Sequence, residues 1–316
     1  MNFCRGQISD QFFHESKLMD LNKNMQDITT NKFLGIFYMS LAMFFFVVVD
    51  TQAKYLTQSF HPFQIVWFRQ LGLLLVCLSL IIFKGPTILR TKRLDLQLLR
   101  GFIAATSPIF FIFAISYVPL ADAIAVSFVA PFFVTIMGAF FLGEKIGIKR
   151  SSALCIGFLG ALIITRPGLG VVHPAVLLAV VAAVLYAGRQ VLSRFLSQSD
   201  NTFTTICYSG LVGSTFLTIF IPFFWRWPEN HLQIGILICM MILAASSEIF
   251  IIKSLEVAEA VVLAPVHYTL LIWGTIYGYF IFGDLPDFWT WLGVSIIIVS
   301  GLYSINSERK NTKQEP

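Results

Sequence analysis

Residues 33–56 read FLGIFYMSLAMFFFVVVDTQAKYL, and the first charged side chain in that stretch is Asp50. About 20 apolar residues, at about 1.5 Å of rise each, span a hydrocarbon core of about 30 Å. Inside lipid the backbone has to satisfy its own hydrogen bonds, so a run of this kind is a helix. Comparable runs recur along the whole chain, separated by short polar breaks. A transmembrane β-barrel would instead alternate apolar and polar residues in segments of about ten, and no such alternation is present.

Composition agrees. The chain has 316 residues, 57% hydrophobic and 12% charged, about half the charged fraction of an ordinary soluble domain. So few charges cannot coat a water-facing surface of that size. The formal net charge of +5 is no nucleic-acid signal, because the basic residues gather in loops, where they orient membrane helices. Cys77, Cys155, Cys207 and Cys239 lie within apolar runs and Cys4 near the start, with no CxxC or Cys/His spacing. They read as packing residues, with no disulfide, metal or cofactor expected. Residues 1–32 mix both charge signs and lack the apolar core of a signal peptide. They read as a cytoplasmic tail, with Met19 and Met25 as alternative starts.

The runs predict ten spans at 33–56, 63–83, 96–118, 121–142, 151–166, 174–196, 203–225, 232–255, 258–282 and 288–305. Pro119-Leu120 and Glu256-Val257 read as very short connections, which make neighbouring helices antiparallel. With the N-terminus in the cytoplasm, 17 of the 22 basic residues fall on that side, Arg100, Arg194 and Lys253 among them. Only Lys54, Arg166 and Arg226 fall opposite, which is a positive-inside pattern with both termini cytoplasmic. Trp225, Trp227, Trp289 and Trp291 would form an aromatic belt at the far interface.

The halves resemble one another at a spacing of about 140 residues. Lys54-Tyr55-Leu56 matches Arg194-Phe195-Leu196, Phe63 matches Phe203, and Leu142-Gly143-Glu144 matches Phe282-Gly283-Asp284. Ala121-Asp122-Ala123 matches Ala258-Glu259-Ala260 at a slightly shorter spacing. Five spans is an odd number, so the second half enters the membrane inverted relative to the first. The expected organisation is an all-α membrane protein of two inverted five-helix repeats, residues 33–166 and 174–305, with cytoplasmic tails at 1–32 and 306–316. An inverted repeat places a cavity near the midplane, between halves that rock.

Polar residues inside the runs are the candidate site. An intramembrane charge costs about 2.5–3.5 kcal/mol on insertion scales, so it faces a cavity or a partner. Asp50 and Lys54 share a helix face at i, i+4 and can pair, with Lys54 snorkelling outward. Arg69 is placed to pair with Asp50 or to hold an anionic substrate group. Arg189 and Glu248, both toward the cytoplasmic end, form another candidate pair, with Glu248 alternatively a coupling proton site. Pro265 should kink the ninth span and free a carbonyl, setting His267 and Tyr268 at midplane depth. Pro108 and Pro131 are kink candidates in the third and fourth spans. Trp67, Tyr186 and Trp273 offer flat faces for a ring.

Two stretches carry a family resemblance. One runs from Pro119-Leu120-Ala121-Asp122-Ala123 through Pro131 to Leu142-Gly143-Glu144-Lys145. The other runs from Ala258-Glu259-Ala260 through Ala264-Pro265 and Tyr268 to Phe282-Gly283-Asp284-Leu285-Pro286-Asp287. Both resemble the EamA-type repeats of the drug/metabolite transporter superfamily. Gly283-Asp284 departs from the Gly-Glu of the first repeat but keeps the charge. The resemblance implies ten helices, a central substrate cavity and residence in a bacterial inner membrane. Within the superfamily, Asp50 to Lys54, Trp67-Phe68-Arg69 and the Ala-Pro-x-x-Tyr run look most like bacterial S-adenosylmethionine uptake carriers, with riboflavin importers also similar. The implied partners are a small-molecule substrate and the lipid bilayer, not nucleic acid; a homodimer stays open. No Walker A, HExxH or GxSxG motif occurs, so neither ATP drive nor that enzyme chemistry is expected within the chain. Two other classes compete: a membrane enzyme acting on lipid-linked substrates, which needs charges clustered at one interface, and a scaffold with a filled midplane.

Overall fold

The first helix, α1, occupies Phe33–Leu56, the stretch quoted above. The structure is a computed structural model and describes residues 33–142, 148–165, 173–196, 199–257, 266–267 and 269–312. The further helices are α2 (Pro62–Lys84), α3 (Leu94–Ile115), α4 (Leu120–Ser127), α5 (Ala130–Leu142), α6 (Ile148–Thr165), α7 (Val176–Leu196), α8 (Thr202–Phe224), α9 (His231–Val257), α10 (Thr269–Tyr277) and α11 (Phe288–Thr312). A 3-10 turn, Pro86–Leu89, follows α2, and a π-turn, Gly278–Phe282, follows α10. No strand occurs among the described residues. Seven helical stretches among them are long and apolar enough to cross a membrane, and three shorter apolar helices accompany them.

The starts of α2 and α8 are built alike. His61 precedes α2, and its Nδ1 accepts the Phe63 N–H at 3.4 Å, with Pro62 at the first helical position. Asn201 precedes α8, and its Oδ1 accepts the Phe203 N–H at 3.0 Å. Each cap satisfies an amide that the helix itself cannot.

Contacts between the halves follow one pattern. Helix α2 packs on α8, α6 on α11 and α4 on α10. Helix α3 packs on α8 and α2 on α9, an exchange of equivalent elements. Helix α3 also packs on α7 and α5 on α7. Their counterparts are α1 against α9, where Tyr38 and Phe250 stack at 5.8 Å, and α1 against α10, where Phe44 meets Trp273 at 5.1 Å. Without water to drive helix association, close van der Waals approach does much of the work. Glycine permits it at α6–α11, where a Cβ on Gly160 would stand 2.8 Å from the Gly293 carbonyl and one on Gly293 would stand 2.5 Å from the Gly160 carbonyl.

The outer surface is apolar. Phe83, Phe140, Phe223, Phe280 and Ile82 are largely exposed, far more than water tolerates in one chain. Trp227, Trp289 and Trp291 are exposed as well. The polar side chains go inward: Gln64, Gln70 and Gln97 are buried. Gln64 makes a two-way clasp with Arg226, accepting its backbone N–H at 3.0 Å and donating to its carbonyl at 2.8 Å.

Several expected boundaries are corrected. The fourth span is two helices, not one, because the chain turns at Phe128 and Val129, whose amides bond Ala125 and Val126 carbonyls at i−3. Pro131 then sits in the first turn of α5, where a missing N–H costs nothing. Helix α3, by contrast, runs unbroken through Pro108. Glu256-Val257 is no connection but the last turn of α9. In the ninth span a 3-10 turn at 266–267 precedes α10, so it is no single α-helix; Pro265 and Tyr268 lie outside the described residues. The last helix runs past the expected end at Ile305 to Thr312, because Ser, Glu, Arg and Lys are adequate helix formers once no membrane edge stops them. The tail at 1–32 and the Glu144 motif also lie outside the described residues.

Candidate functional site

The intramembrane charges fall into two groups. The first surrounds the end of α1 near Leu56. Asp50 is buried at 2% exposure, and its Oδ1 accepts from Arg69 Nη1 at 3.2 Å across the α1–α2 interface. The Arg69 guanidinium also lies over the Phe46 ring at 4.9 Å, an arrangement that favours the cation. Lys54 does not pair with Asp50. Its Nζ instead reaches Asp284 Oδ2 at 2.8 Å and the Val118 carbonyl at 3.3 Å, and stands 4.7 Å over the Phe282 ring. The i, i+4 geometry allowed the local pair, but Arg69 already occupies Asp50. The ion pair that forms instead joins α1 to the segment after the π-turn. Gly283, at φ 74°, is the left-handed residue that lets the chain turn out of the π-turn.

Of three buried side-chain oxygens without partners among the described residues, two lie on α1 and α10 and the third, Gln97 Oε1, on α3 at the opposite end. Gln52 Oε1 on α1 and Thr275 Oγ1 on α10 are buried with no hydrogen-bond partner, and those two helices pack through Phe44, Trp273 and Tyr277. A buried polar atom left unpaired costs about 1–3 kcal/mol, so such atoms commonly await water or a ligand. Neither residue was singled out from the sequence, where a Gln or Thr in an apolar run carries no charge to flag it.

The second group lies at the opposite end of the helices. Arg189 on α7 stands 5.0 Å over the Tyr186 ring, and Gln190 Nε2 donates to the Tyr186 hydroxyl at 2.8 Å. Arg189 and Glu248 form no ion pair. Both lie within electrostatic reach of Arg100, as does Tyr186. Arg100, expected at the cytoplasmic end of the third span, is buried within α3 at 7% exposure. Its Nε donates to Ser193 Oγ at 2.8 Å, and its Nη1 donates to Ser209 Oγ and, at 3.4 Å, to the Thr205 carbonyl. The reason is register. Helix α3 starts at Leu94, so Arg100 lies about 9 Å into it and faces α7 and α8.

The remaining candidates are dispersed. Trp67 donates from Nε1 to Thr218 Oγ1 at 2.8 Å and meets Trp225 edge-on at 6.0 Å, which sets it at the α2–α8 interface, away from Tyr186. Trp273 packs with Phe44 and Tyr277. His267 follows Val266, which packs against the Met39–Met43 turn of α1.

The arrangement therefore offers fixed cations, a carboxylate and aromatic faces at two depths. The profile of the EamA-like transporter family matches residues 33–166 and matches again at 173–306. The chain belongs to this family. Its members are transporters rather than enzymes, and this EamA-like transporter is a multi-pass membrane protein. An S-adenosylmethionine uptake transporter of Rickettsia prowazekii is 26% identical over 91% of this chain and 97% of its own length. A riboflavin transporter of Vibrio cholerae is 31% identical over 72% of this chain and 76% of its own. A pseudopaline exporter of Pseudomonas aeruginosa is 27% identical over 84% and 94% respectively. A solved crystal structure superimposes with a TM-score of 0.62 at 14% identity, over 90% of this chain and 99% of that one, a likeness of fold alone.

Proposed function

We propose that this transporter moves S-adenosylmethionine across the bacterial inner membrane as a secondary carrier, by uptake or exchange. The observation that carries it is the end-to-end likeness to the Rickettsia S-adenosylmethionine uptake transporters, 26% identical over 91% of this chain in one case and 27% over 92% in another. The second charge group fits that substrate's chemistry. The substrate is a zwitterion with a sulfonium and an adenine ring. Arg189 supplies a cation for the carboxylate, and Glu248 an anion for the ammonium or sulfonium. Tyr186 supplies a face for the ring or the sulfonium, Asp50, Arg69 and Trp67 line the path on the far side, and His267 and Tyr268, read from the sequence at midplane depth, belong to the same path. Ten spans in two inverted repeats, with both termini cytoplasmic, are part of the same proposal. The exchange of equivalent contacts between halves and the alike caps of α2 and α8 support them. Lys54–Asp284 then ties the first repeat to the second at the far face, so that rocking of the repeats breaks it.

The test is uptake of labelled S-adenosylmethionine into proteoliposomes, with unlabelled competitors added outside. Saturable uptake that unlabelled S-adenosylmethionine competes away is the expected result. A riboflavin carrier is the second reading, favoured by the 31% identity to the Vibrio cholerae transporter. Uptake of riboflavin without S-adenosylmethionine, in the same vesicles, would replace the first reading by the second.

A further inference from the structure

Apart from the intramembrane charges, the loop between α2 and α3 is fastened onto the α7–α8 turn. Thr204 Oγ1 donates to the Ile88 carbonyl at 2.7 Å, and the Tyr208 hydroxyl donates to the Leu89 carbonyl at 3.1 Å. Asp200 is the rivet. Its Oδ1 accepts the Lys92 N–H at 3.1 Å, and its Oδ2 accepts from Gln97 Nε2 at 2.8 Å and from Thr91 Oγ1. Burial alone would raise the Asp200 pKa, but these hydrogen bonds and the nearby Lys92 charge outweigh it and hold it below the usual carboxylate value. Asp200 is thus an ionised carboxylate whose lone pairs point into the protein.

The fastening leaves a cavity of about 430 Å³ whose charged lining is Lys84, Arg90, Lys92 and Asp200, with Thr87 and Asn201 beside them. Three cations face one carboxylate that is already satisfied. Arg90 and Lys92 are exposed and join no ion pair among the described residues. Lys84 stands 4.3 Å over the Phe203 ring, which fixes its ammonium at the rim. Lys84 of the lining directly follows Ile82 and Phe83 in the last turn of α2, and these are 78% and 85% exposed. Cationic and hydrogen-bonding groups thus meet a bare apolar surface within three residues. A soluble anion uses only the first of these surfaces. A phospholipid uses both, with its phosphate among the cations and an acyl chain along Ile82 and Phe83.

We propose that this cavity binds the phosphodiester headgroup of an anionic phospholipid in the leaflet on the basic face, which the orientation above makes cytoplasmic. Arg90 and Lys92 supply the charge, Thr87 and Asn201 the neutral hydrogen bonds, and Lys84 the boundary with the apolar surface. A bound lipid bridges the α2–α3 loop to the α7–α8 turn, and so one half to the other.

The experiment titrates the purified full chain in neutral detergent with phosphatidylglycerol, phosphatidylcholine or soluble glycerol phosphate. It follows the melting temperature and the lipid retained in native mass spectrometry. Phosphatidylglycerol is expected to raise the melting temperature and stay bound where phosphatidylcholine does neither. At about five-fold per basic residue near an anionic headgroup, Arg90→Gln with Lys92→Gln should weaken that binding by about 30-fold. The melting temperature in phosphatidylcholine should not change, which shows that the variant folds. Arg90→Lys with Lys92→Arg should retain binding. Equal effects of the two lipids overturn the proposal, as does undiminished phosphatidylglycerol binding by the double Gln variant. A melting shift from glycerol phosphate at the concentrations where the lipid acts equally overturns the assignment to a lipid.

Discussion

Removing Arg69 isolates the question of what Asp50 is for. The carboxylate is 2% exposed and meets one guanidinium at 3.2 Å. At that separation, with an effective dielectric constant of about 20, the attraction is about 5 kcal/mol. Taking both ions out of water consumes much of it, so the pair adds little beyond what two neutral groups of similar size would provide. The asymmetry appears when one partner goes. Arg69→Met leaves a buried charge without compensation, at a cost of about 3–5 kcal/mol. Adding Asp50→Asn to that background removes the stranded charge and should restore most of the loss. The assay is reversible unfolding in mixed micelles, on the two single variants and the double. Recovery of less than about 1 kcal/mol in the double variant, against the 3–5 kcal/mol expected for a stranded buried ion, would refute the view of Asp50 as a buried ion held by Arg69. Transport separates structure from coupling. A double variant that folds and still exchanges substrate assigns the pair a structural role, whereas one that folds and does not makes Asp50 a coupling group.

Three more outcomes follow from the geometry. Burial first, and then the Arg226 charge, lower the His61 pKa below its usual 6.5, and the Nδ1 cap on Phe63 and the 4.0 Å stack on Phe224 are made by the neutral ring. The unfolded chain therefore takes up the proton first, so stability should fall as pH drops from about 6.5 toward the lower folded value; melting curves of His61→Asn, which keeps a capping oxygen, should be flatter across that window. Exchanging the charges as Lys54→Asp with Asp284→Lys should restore transport lost in Lys54→Ala, measured as exchange in proteoliposomes, and failure of the swap to exceed either single variant would deny the ion pair its role between the halves. Gly293→Ala places a methyl 2.5 Å from the Gly160 carbonyl and the Ile164 side chain, so α6 and α11 must separate at a cost of about 1–3 kcal/mol in unfolding experiments.

How much of this was legible in the sequence depended on the range of the interaction. Helix existence is local: the run from Phe33 to Leu56 is long and apolar, and α1 follows it end to end. The break at Phe128 was not legible, because the residue that announces it, Pro131, stands three positions later, inside the next helix. Arg100 stood within the expected third span, but its facing α7 and α8 was not legible, because its partners Ser193, Thr205 and Ser209 lie 93 to 109 residues away. The partner of Lys54 lies 230 residues away. Local spacing offered Asp50 instead, although the motif around Asp284 was already conspicuous. Gln52 and Thr275 were silent because only the packed structure shows that their oxygens lack partners.

The π-turn at Gly278–Phe282 has a consequence for numbering as well as for shape. Each of its hydrogen bonds spans one residue more than an α-helical bond does. It therefore stores a surplus residue in the stretch where the second repeat is longer than the first, the stretch between the Ala258 and Phe282 correspondences. Its exit is tied down too, since the Asp284 N–H reaches back to the Gly278 carbonyl at 3.1 Å. Closing the turn into regular α-helix at the same length would instead carry that residue forward and rotate all that follows by about 100°. Asp284 would leave Lys54 although no charge in the protein had changed. Substitutions within those five positions that favour regular α-helix therefore switch the inter-repeat latch as surely as replacing its lysine, and a comparison of charged residues alone would never register the loss.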